Sequence, residues 1–378
     1  MVIKDIIGYL ESIAHPSLQE HYDNAGLITG DANWECTGVL CCLDTIEAVV
    51  DEAITKGCNL IVAHHPIIFG GLKKITGNSY VERTIIKAIK HDIAIYAIHT
   101  NLDNVLSGVN GMIAQKLGLK NLSILAPKKE QLSKLYFYIP AAHAENVMNA
   151  LFQAGAGHIG NYSECSFSVK GIGTFKPNEA ANPFIGEKGQ RHSDEELKIE
   201  MLFPAHLEHR LIHTLKTHHP YEEVAYEVIR LTNLHQEIGA GVTGEWDDAI
   251  SEKEFLQRLK DIFNLSIVKH TVLQGKSIKK VSICGGAGIF LLKNAINSKS
   301  DAYITSDIKY HEFFDADNRI LLVDIGHYES EQYTIELLAN ILEQKFPNFA
   351  VLKTGVNTNP VLLFLESSFL RKADFKKT

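Results

Sequence analysis

Asn59-Leu60-Ile61-Val62-Ala63-His64-His65-Pro66 is the stretch on which the reading of the fold turns. Leu60 to Ala63 is a short apolar run, the pattern of a strand buried on both faces. Pro66 has no N–H and a fixed φ, so strand pairing is expected to stop there. Neighbouring side chains in a strand point to opposite faces. At a strand end that is already turning, His64 and His65 can diverge without either sinking into the core. Two divergent imidazoles at a strand terminus suit two metal ions better than one. A lone His-His dipeptide is more often a pair of ordinary loop histidines, so the rest of the chain has to decide.

Upstream, residues 1 to 14 carry Ile3, Ile6, Ile7, Leu10 and Ile13 at helical spacing. His21-Tyr22-Asp23-Asn24-Ala25-Gly26-Leu27 is a polar turn into a strand near Leu27-Ile28-Thr29. Gly38 to Leu43 is a second strand, closed by Asp44, and Ile46 to Lys56 is a helix with Gly57 placed to end it. Downstream, a helix is expected over Tyr80 to His91. The strand Ile93 to Ile98 then runs into His99-Thr100-Asn101-Leu102-Asp103, and a helix through Val109, Met112, Ile113 and Leu117 stops at Gly118. Strands alternating with helices predict an α/β fold with a largely parallel sheet. In such sheets ligands sit beyond the carboxyl ends of the strands, where both histidine clusters fall.

After residue 126 the pattern changes. Strands over Lys134 to Ile139, Ser166 to Thr174, Leu197 to Phe203 and Tyr226 to Ile229 alternate with helices over His143 to Gln153 and His206 to His218. Residues 176 to 196 read as a long exposed loop. The order strand-helix-strand-strand-helix-strand is the split βαβ arrangement. The expected organisation is a two-lobed α/β core, residues 1–125 and 240–378, with a ferredoxin-like α+β domain inserted over 130–235. From Gly241 the first pattern resumes. Helices are expected over Glu252 to Ile262 and Ile289 to Ile296, and strands over Val281 to Cys284, Asp301 to Asp307 and Arg319 to Ile325. The last strand runs into Gly326-His327-Tyr328-Glu329-Ser330-Glu331 and one long final helix. Asn59–Val62 before His64-His65 loosely echoes Asp301–Thr305 before Asp307 and His311.

Composition narrows the class. A chain of 378 residues exceeds one core of ordinary size. It has no apolar run long enough for a bilayer, and Met1-Val2-Ile3-Lys4-Asp5 lacks a signal-peptide layout. Its six cysteines include no C-x-x-C pair and read as reduced and mostly structural, which fits a cytoplasm. The net charge of −8 argues against general nucleic-acid binding. The 18 histidines are about twice ordinary usage and direct attention to their clusters.

Three strand ends carry metal-ligand residue types: His64 with His65, His99 with Asp103, and His327 with Glu331. Residues 327 and 331 are i and i+4 at a helix start, so both project from one face. Mixed imidazole and carboxylate ligation suits Zn, Fe, Mn or Ni. Asp103 can bridge two cations, which a histidine cannot, and water between two such ions is acidified into a nucleophile. The bland alternative is an exposed helix start where Glu331 complements the macrodipole. Three such clusters at equivalent strand ends favour the metal reading. Gly285-Gly286-Ala287-Gly288 could offer N–H groups to a phosphate, although a plain strand-to-helix turn is the commoner reason for such glycines. His218-His219-Pro220 repeats the metal letters after a helix without a carboxylate cluster, and reads as structural.

These motifs, in this order, resemble those of the GTP cyclohydrolase 1 type 2 homologue family, also known as the NIF-three-like family. His21 to Leu27 resembles its N-terminal signature with Tyr22 where tryptophan is common, and Cys284 to Gly288 and Thr305 to His311 are similar too. The resemblance covers residues 1 to about 125 and 240 to 378. It implies two divalent metal ions held by His64, His65, Asp103, His327 and Glu331, with Asp103 and Glu331 bridging. It also implies a toroidal homohexamer, a trimer of dimers, with its sites facing an interior cavity, and an insertion like PII or CutA proteins. His99, Asp307 and His311 are candidates to hydrogen-bond the metal ligands or to touch substrate. The implied activity is metal-dependent hydrolysis of a nucleotide-like substrate, by opening the purine ring of GTP or by phosphoester cleavage. The alternative is a non-enzymatic metal-binding hexameric scaffold or regulatory protein.

Overall fold

The computed structural model describes residues 1–364; the stretch 365–378 of the expected second core segment lies outside the described residues. The chain forms two compact units, one of residues 1–126 and 240–378, the other of residues 127–239. Among the described residues no helix is long and apolar enough to cross a membrane, and none of the six cysteines is in a disulfide.

The first unit opens with four short strands, β1 (Gly26–Thr29), β2 (Val39–Cys42), β3 (Leu60–Ala63) and β4 (Ala94–Ala97), and a longer one, β5 (Lys120–Pro127). The second unit holds β6 (Leu132–Pro140), β7 (Ser166–Phe175), β8 (His192–Pro204) and β9 (Tyr226–Arg230). The first unit resumes with β10 (Gly239–Ser251), β11 (Lys269–His270), β12 (Ser277–Ile283), β13 (Ala302–Thr305), β14 (Leu321–Asp324) and β15 (Val351–Lys353).

The first unit contains two sheets. One has the order β1-β4-β3-β2-β15; β4, β3, β2 and β15 run parallel and β1 is antiparallel at the edge. Every residue of β2, β3 and β4 is buried, as apolar strands with both faces covered must be. The helices Glu47–Lys56 and Tyr80–Lys90 lay Val49, Val50, Ala53, Ile85 and Ala88 against Leu40, Ile61, Ala63 and Ile95. Each valine, leucine and isoleucine among them contributes roughly 1.5–3 kcal/mol on burial. Gly57 ends the first of these helices at φ +70°, where a Cβ would be strained. The other sheet has the order β11-β14-β13-β12-β10-β5, with β12, β13 and β14 parallel and β10 and β11 antiparallel to their neighbours. The carboxyl ends of the parallel strands of both sheets carry the candidate residues.

The second unit is one antiparallel sheet of order β7-β8-β6-β9, with helices Ala141–Gln153 and Glu208–His218. Strict alternation along β6 turns Leu135, Phe137 and Ile139 inward, where they meet Val147, Leu151, Leu211 and Leu215.

Several elements differ from the sequence reading. β8 begins at His192, inside the expected loop 176–196, because its first residues pair with the edge strand β7 and stay largely exposed. β10 and β15 had no apolar signature to announce them. The expected long final helix is two helices, His327–Glu331 and Thr334–Lys345. The Gln332 side chain donates to the carbonyls of Phe263 (3.1 Å) and Glu329 (3.0 Å) at the break.

Candidate metal centre

The pairing of β3 continues two residues past its end. His64 N–H donates to Cys42 O (3.2 Å) and His65 N–H to Leu43 O (2.9 Å), and Pro66 then stops it. His64 is fully buried, which corrects the expectation that neither imidazole would enter the core. Its cost is offset by a hydrogen bond from Nδ1 to the Ile98 carbonyl (2.9 Å). Nor do the two rings diverge: the chain turns, alternation is lost, and their centroids lie 4.9 Å apart.

The other two histidines each begin one turn of helix after a parallel strand. His99 precedes Thr100–Asp103 after β4, and His327 opens His327–Glu331 after β14. Each helix sets a carboxylate four residues after its imidazole, on the same face. This is a closer internal echo than the expected one between β3 and β13.

All four rings are pinned in the same way. Nδ1 of His65 meets Asp44 Oδ1 (2.7 Å), Nδ1 of His99 meets Asp23 Oδ1 (2.8 Å), and Nδ1 of His327 meets Asp307 Oδ2 (2.6 Å). Carboxylate and carbonyl oxygens accept, so each Nδ1 carries a proton and each Nε2 faces inward. The rings form one cluster, with centroids 5.2 Å apart for His64–His99 and 5.3 Å for His65–His99 and His65–His327. Glu331 Oε2 sits 3.0 Å from His65 Nε2 and 3.1 Å from His327 Nε2; Asp103 Oδ1 is 3.6 Å from His64 Nε2. Donor atoms of His64, His65 and His99, and of His65, His327 and Glu331, form two groups, each within 4.8 Å.

The centre tests well as a cation site. His64 Nε2 is buried without a hydrogen-bond partner, beside the close pair of His65 Nε2 and Glu331 Oε2 (3.0 Å). A buried polar atom left unsatisfied costs roughly 1–3 kcal/mol, and a cation among them removes that cost. Imidazoles held through Nδ1 by carboxylates are also the usual support of metal-ligating histidines.

The electrostatics of the metal-free centre agree. Burial pushes His64 down to about 3, so it is neutral near pH 7. Burial also opposes charge on His65, but the Asp44 and Glu331 carboxylates outweigh it and hold that ring up to about 10. His327 is held up to about 9, with Glu331 and Asp307 overcoming burial. Of the two inward carboxyls, Asp103 is pushed well up by burial and by the Glu331 charge. Glu331 is held well down, because His327 and His65 outweigh its own burial.

The remaining candidates separate. Asp307 holds His327. His311 stands apart, exposed, against the rings of Tyr310 and Phe314. The glycine turn does not present its amides to a ligand: the N–H groups of Gly285, Gly286 and Gly288 donate to Asn110, Ser330 and Thr305. Its role is steric. At Gly286, φ +61°, a Cβ would lie 2.3 Å from Glu331 Oε1. His219 is buried, bonded through Nε2 to the Tyr138 carbonyl (2.9 Å), and is structural as expected. Sequence reasoning missed Asp23 and Asp44 as ring holders. The one available signal was an aspartate closing a parallel strand beside a histidine-bearing one.

The sequence profile described as Duf34/NIF3 (NGG1p interacting factor 3) matches residues 1–360. Proteins named GTP cyclohydrolase 1 type 2 homolog from Halalkalibacterium halodurans and Bacillus subtilis are each 39% identical, over 360 and 363 residues; each match covers 94% of this chain and 97% of the relative. The crystal structure of a Bacillus cereus protein related to NIF3 superposes with a TM-score of 0.85 at 37% identity, covering 96% of this chain and 99% of that one. A whole-length match in sequence and in fold leaves one conclusion: this chain belongs to the Duf34/NIF3 family.

Proposed function

We propose that the protein is a dinuclear metal-dependent hydrolase acting on a nucleotide-like substrate. The observation that carries this reading is the convergence of four pinned imidazoles on one buried carboxylate, Glu331, with His64 Nε2 buried and without a hydrogen bond. Two donor groups sharing His65 favour two ions over one. His64, His65, Asp103, His327 and Glu331 would hold them, and Zn, Fe, Mn and Ni all suit such donors. When bound, the ions supply Lewis acidity and lower the pKa of water.

The chain's own residues do the positioning. Asp44, Asp23 and Asp307 fix three rings, and the Ile98 carbonyl fixes the fourth, so none pays reorientation during a reaction. Burial from both sheets limits bulk water around His64 and Glu331. His99, held inward by Asp23, stands in the donor group of His64 and His65 and faces the same space. The reading carries with it a cytoplasmic homohexamer, a trimer of dimers, with the second unit as a PII/CutA-like insertion. The split βαβ order of that unit supports the likeness, and sedimentation as a monomer at micromolar concentration would remove the hexamer.

The test is Asp103→Ala, assayed for metal content and for turnover of a nucleotide, phosphoester and amidine panel. We expect loss of at least one ion and a fall in activity of about 100-fold or more. Failure of the whole panel with wild-type protein at two ions per chain would replace the enzyme with the metal-binding scaffold.

A further inference from the structure

The centre opens into a cavity of about 1180 Å³. Tyr22, Phe69, Tyr80 and Phe290 line it, each more than half exposed. Aromatic faces left wet around a cavity are suited to stacking on a flat ring. The charges are one-sided. Among the described residues eight carboxylates line the cavity, with Lys269 the one lysine and no arginine. Lys269 Nζ is already 3.0 Å from Asp324 Oδ2. Two divalent ions and Lys269 bring five positive charges against those eight negative ones, so the cavity stays negative with the centre filled. Apart from metal ions, sites for phosphate tails use arginine, lysine or free backbone amides. The amides of the nearby glycine turn, Gly285, Gly286 and Gly288, are bonded internally.

We infer that the cavity takes an uncharged planar heterocycle, a nucleobase or nucleoside, and turns away nucleoside triphosphates. This rests on the reading of the centre as one for nucleotide-like substrates. Aromatic side chains hold the ring, and the carboxylate field repels the polyphosphate.

Titration calorimetry on the full chain, with metal content measured on the same sample, compares guanosine, guanosine monophosphate and GTP at low and at high salt. Guanosine should bind tighter than GTP by about tenfold or more at low salt, and the gap should narrow as salt screens the field. Phe69→Ala should weaken guanosine by about tenfold with the ion count unchanged. GTP binding as tightly as guanosine, or no binding by any of the three, overturns the inference. The ion count judges the metal reading separately. A sample without ions rejects that reading, while the order of the three affinities still decides the charge inference, because the carboxylates around the centre line the cavity with or without ions.

Discussion

At the scale of single residues, the proposed metal binding would exchange protons for cations. His65 and His327 each hold a second proton up to about 10 and about 9 in the metal-free protein. A cation must displace both, so metal affinity should rise with pH by roughly 100-fold per unit below about 9. Zinc titrations at two pH values, with proton release measured in buffers of different ionisation enthalpy, check this; release of fewer than two protons near pH 7 would contradict it. The same two groups give the metal-free protein a stability term with a fixed sign. Their folded pKa values lie above the unfolded value, so the term is complete below about 6.5 and is lost as pH rises through about 9 to 10. Thermal unfolding of metal-free protein should therefore weaken across that window, and His327→Gln should flatten the fall. The residues gathered at the centre were legible in the letters, because histidines and carboxylates at strand ends are few. That Asp44 and Asp23 hold two of the rings was not legible, since those contacts join segments distant in sequence.

At the scale of elements, the turn after β12 exists to make room. Gly286→Ala drives a Cβ into the Glu331 carboxylate and strains a left-handed residue. Gly275→Ala imposes a similar φ of +71° with nothing within 4 Å. Both should lose about 1 kcal/mol to backbone strain, but Gly286→Ala alone should lose metal. Equal metal content in the two variants would refute the steric role of Gly286. The buried strands β2, β3, β13 and β14 were readable as apolar runs, and the αL stop at Gly57 from its glycine. The divergence read from strand periodicity at His64-His65 failed because the chain leaves the strand there. β10 and the start of β8 were hidden because their composition depends on partners that no local pattern names.

At the scale of the whole molecule, residues 127–239 hold a core of their own. Where the chain enters and leaves this unit, Lys128 N–H donates to Ile238 O (3.0 Å), and β5 and β10 are neighbours in one sheet. We expect the segment 127–239, made alone, to unfold in one cooperative transition. Replacing it with a two-residue Asn-Gly turn between Ala126 and Ala240 should leave a soluble first unit with unchanged metal content. Calorimetry of the one and metal analysis of the other decide both points; a fragment without a cooperative transition would show that its core is insufficient.

β15 pairs with β2, Val351 against Val39, and the same trailing segment reaches Asp44 through the Thr358 hydroxyl (2.6 Å). The first sheet therefore receives a strand made long after the one it pairs with. During synthesis the ribosome has delivered the whole of residues 127–239 before β15 exists. The inserted unit can fold while the sheet that began before it is still waiting. His64 and His65 likewise emerge long before His327 and Glu331. A nascent chain cannot complete the centre until residues 327–331 have been made.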